Sequence, residues 1–143
     1  DLEAHNRYLN EKYARMIEAE QRADLFYSDD AEWLVVAANT PARMAKGAVQ
    51  QLRNQGVKAW LVRTITLWPF PIRHLLPVLE HTRGIVVAEA GHGQLEDEMR
   101  LALSWAGVHA PPPIAHVQHF GGVLPGQQEI VDKVVALQEG RHE

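Results

Sequence analysis

Three apolar runs set the terms on which this chain can fold: Trp33-Leu34-Val35-Val36-Ala37-Ala38, Val57-Lys58-Ala59-Trp60-Leu61-Val62 and Gly84-Ile85-Val86-Val87-Ala88. None of them alternates polar with apolar residues as a half-exposed strand would. They read as strands covered on both faces, the pattern of a parallel sheet. Between them the spacing turns helical. Ala42, Ala45, Val49 and Leu52 mark one inner face, which Gly56 is suited to end. Ile72, Leu75, Leu76 and Leu79 mark a short second one, with Pro77 predicting a kink or restart. Leu95, Met99, Ala102, Leu103 and Ala106 mark a third, closed by Gly107. Ile114–Val117 is a weaker fourth strand, and Ile130, Val134 and Leu137 describe a final helix. Strand–helix alternation at this spacing predicts right-handed crossovers and a sheet with helices on both faces. With 143 residues, 46% of them hydrophobic, the chain is large enough for one domain with a real core.

The first residues behave differently. Leu9, Tyr13, Met16, Ile17 and Glu20 follow helical spacing, so residues 3–21 predict an amphipathic helix whose apolar stripe must be buried somewhere. Ser28-Asp29-Asp30 reads as a polar turn. Residues 1–31 are thus expected as an N-terminal helical arm and residues 32–143 as the α/β domain. The charge follows the same division: residues 1–32 hold nine acids and four bases, while residues 33–143 hold nine acids and ten bases. This acidity fits the solvated face of a helix or a meeting with a basic partner.

Composition narrows the function classes. There is no Cys, which excludes disulfides, cysteine-ligated clusters and thiol nucleophiles on this chain. No basic tract points to nucleic acid. No apolar run approaches the roughly 20 residues that span a bilayer, and the charged first residues give no signal-peptide pattern, so no membrane partner is expected and a cytoplasmic location is. The opening on Asp1 rather than Met suggests an excised domain or an upstream portion.

In a sheet of this kind, ligands and partners gather beyond the carboxyl ends of the strands. Three loops should meet there: Asn39–Pro41, Thr64–Pro71 and Glu89–Gln94. In the first, Thr40 is placed to cap a helix and Pro41 to open it. The second, Thr64-Ile65-Thr66-Leu67-Trp68-Pro69-Phe70-Pro71, is too apolar for a surface turn. Trp68 and Phe70 are the strongest candidate interface anchors, with packing under the N-terminal helix as the alternative. In the third, Glu89 either orders the loop by accepting backbone N–H groups or belongs to an anion- or partner-binding nest with Gly91, Gly93 and Gln94. No phosphate-loop or dinucleotide fingerprint is present. Arg63 and Arg43 are either solvated arginines or cations meeting an acidic group at the sheet edge. His116 and His119 are candidates to lie near Glu89, but the order of residues gives no zinc pattern. Ser28 and Ser104 are the only serines, and neither has a nucleophile-elbow context. No catalytic residue and no metal ligand is therefore assigned.

These loops also carry a resemblance. Thr66-Leu67-Trp68-Pro69-Phe70-Pro71, Val86-Val87-Ala88-Glu89 followed by Gly93-Gln94-Leu95, Leu9-Asn10-Glu11-Lys12-Tyr13, Asp29-Asp30-Ala31-Glu32 and Gly121-Gly122-Val123-Leu124-Pro125 recur together in one family. Across nearly its whole length the chain resembles the C-terminal part of the alpha subunit of 2-oxoacid:ferredoxin oxidoreductases, the thiamine-diphosphate enzymes with branched-chain 2-oxoacid and 2-oxoglutarate members. The resemblance implies a three-layer α/β/α fold with a mostly parallel sheet, similar to the transketolase C-terminal domain. It also implies a complex that oxidatively decarboxylates a 2-oxoacid to an acyl-CoA and reduces ferredoxin. Thiamine diphosphate, Mg2+, coenzyme A and iron–sulfur clusters would sit on other domains or subunits, with no cofactor on this chain. The isolated chain would be inactive, serving subunit contacts in a homo- or hetero-oligomer, with Asn39, Thr40, Arg63, Trp68, Phe70, Glu89, Gly93, Gln94, Gly121 and Gly122 as interface or loop-organising residues. Two positions depart from the family pattern: Ala38-Asn39-Thr40 replaces Gly-Ser or Gly-Ser-Thr, and Ala90 replaces an Asn. Two other readings stay open: the C-terminal domain of a transketolase-like or 2-oxoacid dehydrogenase enzyme, and a stand-alone coenzyme A or nucleotide-binding module.

Overall fold

In the computed structural model, which describes residues 1–27 and 29–140, the three apolar runs lie side by side at the centre of one sheet. The strands are β1 (Ala23–Phe26), β2 (Trp33–Ala38), β3 (Ala59–Thr64), β4 (Gly84–Glu89) and β5 (Ile114–Gln118), in the spatial order β1-β3-β2-β4-β5. β3, β2, β4 and β5 are parallel, and β1 pairs antiparallel with β3 at the edge. The helices are α1 (Leu2–Ala19), α2 (Asn39–Asn54), α3 (Ile72–Leu75), α4 (Gln94–Trp105) and α5 (Gln127–Gln138).

Alternate residues along each strand serve opposite layers. Trp33, Val35, Ala37 and Leu61 pack with Ala45, Val49 and Leu52 of α2 and Ile130 and Val134 of α5. Leu34, Val36, Trp60 and Val62 pack on the other face with Leu75, Leu95, Met99 and Leu103. This is the three-layer α/β/α arrangement with a mostly parallel sheet. The absence of alternation in the sequence follows directly, because both faces of β2 and β4 are covered. α3 gives way after one turn to a 3-10 segment, Leu76–His81, at the point where Pro77 cannot donate to a helical ladder. Gly56 closes α2 at φ +83, with its N–H on the Arg53 carbonyl at 3.0 Å.

Four expectations need correction. β1 lies in the segment read as a helical arm, and its four residues were too short a run to stand out. Its pairing carries β3 two residues further than expected, so Arg63 and Thr64 are strand rather than loop, opposite Asp24 and Ala23. α2 begins at Asn39, which takes φ +52, so Thr40 and Pro41 are already helical and Thr40 makes no side-chain cap. Finally, the apolar stripe of α1 is not buried: no residue of that helix is, and Tyr13 and Ile17 remain exposed. Of the expected polar turn, Asp29 and Asp30 are in a turn, while Ser28 lies outside the described residues.

Candidate functional site

The strand order reverses at β2: the connection through α2 leads to β3 on one side, and β4 with α4 leads to β5 on the other. α2 and α4 lie on opposite faces, so a crevice opens between the carboxyl ends of β2 and β4, the position where such sheets bind ligands or partners. The crevice has a volume of about 380 Å³. Asn39 and Thr40, Leu67, and Glu89 with Gln94 all line it, so the three exit loops do meet, and Leu124 adds a fourth wall.

Glu89 occupies the amide end of α4. Its Oε1 accepts the N–H groups of Gly93 and Leu95, and its Oε2 that of Glu96, each at 3.2 Å. The carboxylate is buried and satisfies donors that the first helical turn leaves free. It orders the loop, and it fills the seat that an external anion would need, so an anion nest at Gly91–Gln94 is not what the geometry offers. Gln94 adds to the loop by accepting the N–H of His92 at 2.9 Å. Gly93 stands at φ +102, where a Cβ would come within 3.0 Å of Gln118 Nε2.

The side chains of His116 and His119 do not gather at Glu89. His116 Nδ1 lies 3.0 Å from buried Glu96, which also pairs with Arg100 at 2.7 Å. His119 Nε2 lies 3.0 Å from Glu129, whose carboxyl also accepts the Gly126 N–H at 2.7 Å. The Gly126 hydrogen bond first, and the His119 contact second, hold Glu129 below the usual carboxylate range. Only the His119 backbone N–H reaches Glu89, at its carbonyl. Gly121 and Gly122 turn the neighbouring loop at positive φ, beside Phe120 stacked on His92 at 4.1 Å. Among the described residues, no group of three or more His, Asp or Glu is arranged to hold a metal ion.

The proline-aromatic loop separates its two rings. Phe70 is 5% exposed and belongs to the core with Leu75 and Met99. Trp68 is 49% exposed and meets the edge of Tyr13 on α1, at 5.8 Å and 87°. The peptide between Trp68 and Pro69 is cis. Trp68, Ile17, Leu101 and the 84%-exposed Trp105 border an apolar groove of about 490 Å³ between α1 and α4. Sequence reasoning missed Leu101 and Trp105 as partners of this loop. Their signal was present: two large apolar residues four apart on the outer side of α4.

The family description "Pyruvate:ferredoxin oxidoreductase core domain II" matches residues 31–130. The chain belongs to this family. Ketoisovalerate oxidoreductase subunit VorB of Methanothermobacter thermautotrophicus is 33% identical over 134 residues, 94% of this chain and 36% of that protein. 2-Oxoglutarate synthase subunit KorA of Methanocaldococcus jannaschii is 39% identical over 101 residues, 71% of this chain and 26% of that protein. The chain thus spans about a third of the length of the curated relatives it matches. Among solved structures, the 2-oxoglutarate:ferredoxin oxidoreductase of Magnetococcus marinus superposes with a TM-score of 0.74 at 18% identity, over 98% of this chain and 23% of that one. A split-gene transketolase superposes at 0.67 with 22% identity, over 85% of this chain and 41% of that one. These two likenesses establish the fold, which is transketolase-like. Within this core domain II, the matched residues include the switch-point crevice and the whole proline-aromatic loop, while α1 lies before them.

Proposed function

We propose that this core domain II is the assembly domain of the alpha subunit of a 2-oxoacid:ferredoxin oxidoreductase. The complex would oxidatively decarboxylate a 2-oxoacid to an acyl-CoA and reduce ferredoxin. The observation that carries the reading is the apolar groove between α1 and α4. Large apolar side chains that folding leaves half-exposed gain their burial from a partner surface. The unburied stripe of α1 adjoins it. α1 and the residues that follow it are tied to the body by polar contacts, among them the Arg73 guanidinium donating to the Glu18 carbonyl at 2.6 Å and the Arg73 N–H donating to Gln21 Oε1 at 2.9 Å.

Thiamine diphosphate with Mg2+, coenzyme A and iron–sulfur clusters belong in this reading to other domains or subunits. The donors among the described residues do not fit the metal-bearing groups. There is no Cys for a cluster, and Glu89, the carboxylate at the switch point, is engaged by three backbone N–H groups. The reading is tested by light scattering on the protein alone and mixed with the companion subunits of its complex. A stable larger assembly is expected; a chain that stays monomeric in their presence contradicts the reading.

A further inference from the structure

A second cavity, on the α2 face of the sheet and away from the Trp68 groove, holds a charge imbalance. Its volume is about 600 Å³. Arg43 and Lys46 stand one turn apart on α2, and Arg63 enters from β3. Arg63 has Asp24 at 3.3 Å. Lys46 lies over the Phe26 ring at 4.4 Å, and Arg43 has no ion pair or hydrogen bond among the described residues. α2 contains no acid. Three cations against one carboxylate leave two positive charges in excess, in a chain whose formal net charge is −4. Asn39 and Thr40 also line the cavity, and neither side chain has a hydrogen-bond partner among the described residues.

We propose that this cavity binds the phosphate group of a phosphorylated small molecule. Arg43, Lys46 and Arg63 supply the charge, and the Asn39 amide and Thr40 hydroxyl supply neutral donors. A phosphate monoester carries about −1.5 to −2 at neutral pH, which matches the excess where a single carboxylate does not. The cavity is larger than a phosphate and within the range of about 300–1,000 Å³ typical of small-molecule pockets. Its apolar floor, formed by Phe26 and Leu61, suits an organic body beyond the phosphate.

Calorimetry of the protein with inorganic pyrophosphate and with ADP tests this. Both probes should bind saturably, ADP the more tightly. The affinity should fall about tenfold or more in R43Q/K46Q. Arg43→Gln alone should give a smaller loss in the same direction. K58Q/K133Q removes the same charge elsewhere and should leave binding unchanged; all three variants should stay folded, R43Q/K46Q losing in stability only the Lys46–Phe26 contact. The proposal is overturned if neither probe saturates, if both double variants lose affinity equally, or if succinate binds as tightly as pyrophosphate. None of these results bears on the Trp68 groove.

Discussion

Replacing each ring of the proline-aromatic loop with Ala should separate folding from assembly. Phe70 is 5% exposed in the core, so Phe70→Ala should cost the full large-to-small penalty of about 3–5 kcal/mol. Trp68 retains 49% of its exposure, so about half the usual aromatic burial term is at stake, roughly 1–1.5 kcal/mol. The edge contact with Tyr13 adds about 0.5–1 kcal/mol, giving about 2 kcal/mol in total. For a chain of 143 residues each kcal/mol moves the melting temperature by about 3 °C, so the expected losses are about 10–15 °C for Phe70→Ala and about 6 °C for Trp68→Ala. Association should rank the other way. A central aromatic anchor is worth about 2 kcal/mol or more, so Trp68→Ala should weaken binding to the companion subunits about 30-fold. Thermal unfolding read by circular dichroism, with sedimentation velocity at graded concentrations, measures both. Equal melting losses, or unchanged association in Trp68→Ala, would refute the reasoning.

Three further outcomes follow from the Glu89–Gln94 loop and the start of α5. Glu89→Ala strands the buried N–H groups of Gly93, Leu95 and Glu96 and should cost about 3 kcal/mol in urea unfolding; a loss below about 1 kcal/mol would show that the loop orders itself otherwise. Gly93→Ala places a side chain at φ +102 against Gln118 and should cost about 1–2 kcal/mol, visible as a lower melting temperature. Glu129 has its folded-state pKa depressed by Gly126 and His119, so its contribution is complete at neutral pH and is lost as pH falls through the folded value. Glu129→Gln should therefore destabilise by about 0.5 kcal/mol at neutral pH, a figure kept small by solvent screening, and the gap should close on acidification; a gap that widens would contradict the assignment.

The central strands were legible because burial on both faces leaves no room for polar alternation, and β2 and β4 show that burial. Edge elements were less so. β1 is a four-residue strand with one hydrogen-bonded neighbour, and β5 exposes His116. The start of α2 was displaced because Asn39 tolerates a left-handed backbone that most residues avoid, and this allowed the helix to open before its apparent cap. The convergence of three exit loops could be read from strand–helix alternation alone. Which of two neighbouring aromatics turns inward could not, since that depends on how the loop crosses Leu75 and Met99 far along the chain. Arg43 and Arg63 stood out singly, but only the register of β3 against β1, together with α2 above it, joins them with Lys46 around one cavity.

Hydroxyl-radical footprinting of the tryptophans, on the protein alone and in its assembled complex, tests the docking account most directly. Trp60, fully buried, should stay unlabelled in both states. Trp68 and Trp105 should be labelled in the isolated protein and become protected on assembly. Labelling of Trp68 that does not change when the complex forms would contradict the account.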